Sequence, residues 1–274
     1  MSIIIGIDIG GSTTKIIGSK ENKLFSPLLV RANDPIASVY GAFGKFMSTN
    51  SLALDNIDHI TVTGVGSSYI SGPLYGIPTG KITEFYATGK GGLFLSGLSR
   101  ALVVSMGTGT AYVMAEGDKV KHIGGTGVGG GTLLGLSNKM LNIREFKDLI
   151  EMAKGGNLSN VDLNIGDITQ DKMETLPADV TASNLGKISD LASKSDIALG
   201  IINLVFQTIG MMAVFASQMH NTKDVVLTGN LTHVPQAGPI FETLRRLYGV
   251  NYHIPENAEF ATASGAALTK TDPL

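Results

Sequence analysis

The sequence predicts an α/β protein of two lobes closing on a cleft, and three observations carry that prediction. The chain opens on an apolar strand ending in a carboxylate and two glycines, Ile3-Ile-Ile-Gly-Ile-Asp8-Ile-Gly10-Gly11, followed by Ser12-Thr13-Thr14-Lys15. The same order begins again at Arg100, where three consecutive strands are expected and the first ends in the glycine turn Gly107-Thr108-Gly109-Thr110. Stretches with helical periodicity follow each set of strands, the pattern of a mixed sheet covered by helices. Two related halves, each presenting a Gly/Thr turn, can close on one ligand from opposite sides. No long linker separates them, so the expected lobes are residues 1–99 and 100–274.

In the first half, Ile3–Asp8, Thr14–Ser19 and Lys23–Val30 read as three meandering antiparallel strands. Asp34 can cap a helix to about Ser48, with Ile36, Val39, Phe43 and Phe46 on one face. His59–Thr63 and Thr79–Thr83 are short β-rich segments, and Glu84–Leu98 is a glycine-containing helix. In the second half, Ala101–Met106, Thr110–Glu116 and Lys119–Ile123 repeat the meander, and Ile143–Ala153 is helical. Residues 155–190 are polar and irregular and are expected to form an excursion near the cleft. From Ser195 to His220, Ile197, Ile201, Leu204, Val205, Ile209, Met212 and Phe215 recur at helical spacing, which predicts a long buried helix. Both a core role and a subunit interface are open for it. Asp224–Leu227 is a strand ending in Thr228-Gly229-Asn230, and a helix (Pro239–Tyr248), a strand (Asn251–Ile254) and a small-residue helix (Phe260–Lys270) complete the chain.

Composition narrows the function. With 274 residues, a formal net charge of −2 and no Lys/Arg-rich run, no nucleic-acid surface is expected. Zero cysteines exclude disulfides, thiolate metal sites and cysteine-bound iron–sulfur clusters. Asp8 interrupts the first apolar run, so no signal peptide is expected, and no uncharged apolar run of about 18 residues predicts a membrane span. The expected setting is the cytoplasm. The 35 glycines are the anomaly; they cluster in short motifs, the pattern of backbone built to approach a ligand.

The opening hairpin suits phosphates. Its glycines permit a tight turn and close approach; amides, hydroxyls and the Lys15 ammonium then face an anion, while Asp8 suits a hydrated Mg²⁺. The alternative for the segment read alone is an ordinary Gly-Gly hairpin, and the nucleotide reading is favoured over it. Gly124–Thr132 is the densest glycine cluster and precedes a helical start at Leu133, an arrangement that presents bare amides to an anion. Its Gly-x-Gly-x-x-Gly match at Gly125, Gly127 and Gly130 lacks the second strand of a dinucleotide fold. Gly76–Lys81 is too short for a P-loop, and Ile82 stands where that loop needs a hydroxyl. Glu84 opens a helix after a strand, where a carboxylate opposes the helix dipole or accepts a substrate proton; spacing alone does not decide. His122 ends a strand just before the glycine cluster, facing substrate or serving structure.

Taken together, these motifs resemble those of the type II pantothenate kinases, a branch of the actin/hexokinase-like ATPases. The likeness runs almost end to end: Asp8–Lys15, Thr63-Gly64, Glu84-Phe85, Gly107–Thr110, Gly124–Thr132, Leu176–Gly186, Gly229 and Glu256–Phe260. It implies a two-lobed, ribonuclease H-like fold with a duplicated mixed sheet and an interlobe nucleotide cleft. The implied activity is ATP-dependent phosphorylation of pantothenate to 4'-phosphopantothenate, the first step of coenzyme A biosynthesis, by a homodimer. Glu84 would be the catalytic base. MgATP would be surrounded by Asp8 (through water to Mg²⁺), Gly10, Gly11, Ser12, Thr13, Lys15, Gly107, Thr108, Gly109, Gly130, Gly131, Thr132, Leu133, Leu134, Phe146, Gly229 and Asn230. Thr110 and His122 would face the acceptor. Two departures bear on that acceptor: the family usually has arginine where His122 stands and serine where Ala111 stands. Imidazole has no bidentate grip on a carboxylate, so another small alcohol is an alternative acceptor, and a non-catalytic nucleotide switch is a second alternative. The ATPase activators of 2-hydroxyacyl-CoA dehydratases share a similar hairpin, and Thr83–Ala87 is loosely like theirs, but they hold an iron–sulfur cluster through cysteines that this chain lacks. The Asn-Asp motif of typical sugar kinases is also missing.

Overall fold

The computed structural model describes residues 3–11, 13–31, 34–169 and 177–274, so Ser12 and Leu176 lie outside the described residues. Alternating isoleucines drive the first strand: Ile3, Ile5, Ile7 and Ile9 of β1 (Ile3–Ile9) are buried in one core. β2 (Thr13–Lys20) and β3 (Lys23–Arg31) complete the meander, and α1 (Pro35–Thr49), β4 (His59–Thr63), β5 (Thr79–Lys81) and α2 (Glu84–Ser96) follow.

Asp34 caps α1 as expected, accepting from the Ala37 amide at 2.9 Å, with Pro35 in the first turn. Val39, Phe43 and Phe46 are buried, whereas Ile36, in the first turn, stays 45% exposed. Asp34→Ala should lower the unfolding free energy by about 1 kcal/mol, read from urea denaturation of the two proteins.

The second meander is β6 (Arg100–Met106), β7 (Thr110–Glu116) and β8 (Lys119–Thr126), followed by α3 (Gly130–Leu141) and α4 (Phe146–Ala153). Then come β9 (Leu163–Asn164), α5 (Ile165–Ile168), β10 (Thr181–Ser183), α6 (Lys194–Met219), β11 (Asp224–Thr228), α7 (Ala237–Tyr248), β12 (Asn251–His253) and α8 (Ala261–Ala267). The strand orders are β3-β2-β1-β4-β5 and β8-β7-β6-β11-β12. In both sheets the first three strands in sequence pair antiparallel, and the last two run parallel to the first. The repetition read from the glycine turns therefore extends to the whole sheet topology.

Two glycines fix the corner after the second parallel strand of each sheet. Gly64 follows β4 with φ +85°, and a Cβ there would stand 2.5 Å from Asp8 Oδ1. Gly229 follows β11 with φ +91°, and its Cβ would stand 2.5 Å from the Met106 carbonyl oxygen. Each corner needs both the left-handed backbone and the missing side chain, because the chain passes directly over the end of the central strand.

Helices α2 and α8 cross and exchange sheets. α8 packs on β1, β2 and β4, while α2 packs on β6, β7 and β8. Thr88 and Thr262 join them by a buried hydroxyl–hydroxyl hydrogen bond of 2.9 Å. This crossing places the start of α2 and the start of α8 beside the gap between the two sheets.

The long apolar helix forms as expected, with Ile201, Val205 and Ile209 fully buried in the second core. Phe215, expected on the same face, is 61% exposed near the helix end. By length and composition alone α6 would suffice to cross a membrane, but 61% of its most apolar window is buried inside the fold. Described parts of the segment expected near the cleft are instead tied to α6: Asp162 accepts from the Leu185 amide at 2.8 Å and from Asn203 Nδ2 at 2.6 Å. None of its described residues lines the cleft.

Candidate active site

The register of the first sheet builds the acidic centre of the cleft. Asp8 is the penultimate residue of β1 and lies directly opposite Lys15 on β2 and Thr63 on β4. Lys15 is 7% exposed and Thr63 fully buried. Among the described residues, neither Asp8 nor Lys15 has a side-chain hydrogen bond or an ion pair, and the Thr63 hydroxyl has no partner. Burial pushes the Asp8 carboxyl up to about 6, against the pull of Lys15 and with a further push from Glu84. Burial also lowers the Lys15 ammonium, opposed by the carboxylates of Asp8, Glu259 and Glu84.

A cleft of about 540 Å³ opens between the two sheets. The first half lines it with Asp8, Gly10, Gly11, Thr13, Lys15, Val65, Glu84 and Phe85. The second half supplies Ser105, Gly107–Thr110, Ala111, His122, Gly125, Thr126, Gly229, Asn230, Glu259 and Thr262. Both glycine turns thus face one space. The turn at Gly10 is closed by its amide donating to the Thr13 carbonyl at 2.9 Å, and the turn at Gly107 by the same bond to Gly109.

Glu84 is the first residue of α2, after Thr83, whose hydroxyl caps the helix by accepting from the Tyr86 amide. Its carboxyl is exposed to the open cleft and held above the usual carboxylate range by partial desolvation, with Lys15 opposing. Next to it, Phe85 stacks on His122 with ring centroids 3.8 Å apart and planes 6° from parallel. That stack joins the start of α2 to β8, on which the helix packs.

The glycine cluster differs from expectation. Strand β8 runs through Thr126, because Gly124, Gly125 and Thr126 pair with Tyr112, Ala111 and Thr110. At the start of α3 the amides are not bare: Gly130 N donates to Gly107 O and Gly131 N to Thr108 O, both at 2.9 Å. This helix end braces the second turn from behind. Thr132 donates its hydroxyl to the Gly127 carbonyl at 3.0 Å, and Leu133 is fully buried. Leu134 and Phe146 are half-buried, Phe146 against the second core. Gly130, Gly131, Thr132, Leu133, Leu134 and Phe146 therefore do not line the cleft, while Glu84, the first-hairpin residues other than Ser12, Gly107–Thr110, His122, Gly229 and Asn230 meet there.

Sequence reasoning missed Ser105, Glu259 and Thr262. Ser105 was readable from the duplication: it is penultimate in β6 as Asp8 is in β1, and it lies opposite Ala111 and Thr228 as Asp8 lies opposite Lys15 and Thr63. Glu259 and Thr262 reach the cleft only through the exchange of α8, which no local pattern records. Glu259 accepts a long contact from His233, Nε2 to Oε1 3.2 Å.

The residues fit a divalent cation. Asp8 offers a carboxylate without donors, the neighbouring Thr63 hydroxyl is unpartnered, and three carboxylates face a single lysine in a cleft that would otherwise repel phosphates.

A duplicated β-meander with two glycine turns around an acidic cleft defines the fold of the actin/hexokinase-like proteins. Component A of the Acidaminococcus fermentans (R)-2-hydroxyglutaryl-CoA dehydratase superposes with a TM-score of 0.71 at 19% identity, covering 98% of this chain and 97% of that one. The ROK hexokinase of Thermus thermophilus gives 0.59 at 13% identity, with 97% of each chain covered. Residues 98–244 match the Fumble family, to which this chain belongs. A type II pantothenate kinase from Staphylococcus aureus is 27% identical over 274 residues, covering 96% of this chain and 97% of the relative.

Proposed function

We propose that this protein transfers the γ-phosphoryl group of ATP to the hydroxyl of a small alcohol of the pantothenate type, forming the 4'-phosphate that begins coenzyme A biosynthesis. The observation that carries this reading is the meeting of both glycine turns with Glu84 on one cleft. The amides and hydroxyls of Gly10, Gly11, Thr13 and Gly107–Thr110 hold the phosphates, Lys15 balances charge on the transferred group, and Asn230 lines the nucleotide end. Asp8 would hold Mg²⁺ through water; the ion would neutralise the phosphates that the carboxylates otherwise repel. Glu84 takes the proton of the acceptor hydroxyl as its oxygen bonds to the γ-phosphorus and the bond to the leaving ADP breaks. Thr110 and His122 face the acceptor. The Staphylococcus aureus relative named type II pantothenate kinase supports the acceptor class. The cytosol is the expected compartment, and α6, with Phe215 exposed, is the expected contact for a second copy.

Coupled ADP release tests the reaction. Adding pantothenate or an amide of it should stimulate ADP formation and yield a phosphorylated acceptor by mass spectrometry. Nucleotide binding with no acceptor-stimulated turnover would leave a non-catalytic switch in its place.

A further inference from the structure

Charge is distributed unevenly in the cleft. Its one permanent cation among the described lining residues is Lys15, set in the first hairpin and facing Asp8, Glu84 and Glu259. No arginine lines it; Arg31, directly across from Thr13 in the sheet, is exposed and outside it. The lining also includes Phe85, Ala111, His122 and Gly125, a stacked aromatic pair and two small residues. Ala111 and Gly125 are directly opposed on β7 and β8, so the wall between them is bare backbone and one methyl group. The Phe85–His122 stack, with centroids 3.8 Å apart, spans the two elements at this end.

Such a surface contacts apolar chain and accepts or donates single hydrogen bonds through imidazole. It offers no fork of charged donors to compensate a carboxylate taken out of water. Glu84 would also repel one. We infer that the acceptor's end remote from its hydroxyl is uncharged, an amide-linked or alkyl-extended alcohol in preference to the free acid, with His122 and Phe85 setting that preference. The inference rests on the kinase reading above and specifies its acceptor.

The test compares pantothenate with its N-butyl amide under saturating MgATP. The wild-type protein should show kcat/KM at least about tenfold higher for the amide, carried mainly by KM. His122→Arg, which supplies a planar guanidinium, should shift the ratio of kcat/KM values toward pantothenate by about tenfold or more. A wild-type preference for pantothenate, or equal use of both, overturns the inference while the kinase reading stands. If neither compound is phosphorylated, the kinase reading fails and the inference with it. Because the wild-type ratio is decisive by itself, a misfolded variant does not shield the proposal. With a folded variant, an unchanged ratio in His122→Arg removes His122 as the determinant.

Discussion

Glu84→Gln should lower acceptor-dependent turnover by about 10²–10⁴-fold while nucleotide affinity changes little. The substitution keeps the side chain's size and its place in the first turn of α2, where Thr83 supplies the cap. What it removes is the carboxylate at the start of α2, beside the space where both glycine turns converge. Partial desolvation holds the Glu84 carboxyl above its ordinary range, so ionisation is lost at a higher pH than for a free carboxylate. The base is competent only when ionised. Turnover of the wild-type protein should therefore fall as pH drops through that raised range, and the residual activity of the variant should lack the Glu84 contribution to that limb. Single-turnover kinetics with ATP and acceptor, alongside fluorescent-nucleotide titration, separate chemistry from binding. Full turnover in Glu84→Gln would mean that solvent or the phosphate itself takes the proton.

Much of this site was legible because its signals are local. The strand–turn–strand order around Asp8 and Gly107 fixes both the sheet type and the position of the turns, and a second copy of the pattern announces the partner lobe. Local signals also overreached. The glycines from Gly124 read as a loop, yet cross-strand bonds to β7 extend β8 through Thr126, and the amides of Gly130 and Gly131 are spent on the turn they support. An amide's availability depends on its tertiary neighbours, which sequence spacing does not encode. The excursion at 155–190 was polar enough for a cleft segment, but its buried Asp162 serves Asn203 and Leu185 on and beside α6. Glu259, within the Glu256–Phe260 motif, had no role assigned for a different reason: its place depends on α8 packing against α2, a contact between distant parts of the chain.

Asp8→Asn should abolish phosphoryl transfer and make the folded protein more stable. The Asp8 carboxyl is pushed up to about 6 in the fold from an ordinary value of 3.8. A carboxyl raised by folding binds its proton more tightly in the folded state, so its ionised form opposes folding. That cost is fully present above about pH 6, shrinks as pH falls, and is gone below the unfolded value of 3.8. The magnitude is on the order of 3 kcal/mol at neutral pH, net of Lys15 opposing it and Glu84 adding to it. An amide of the same shape carries no such cost, although it also deprives the buried Lys15 of an attractive neighbour, which trims the gain. Chemical denaturation of both proteins across pH should show the variant's advantage largest above pH 6 and vanishing toward pH 4. The wild-type protein should also gain thermal stability from MgATP, because a bound cation relieves the same carboxylate, and the variant should gain less. An Asn variant less stable than wild type at neutral pH would show Asp8 to be a structural anchor, and the fold would then hold no strained carboxylate waiting for a cation. Stability gained together with activity lost is the signature expected of a charge kept in a buried strand for its chemistry.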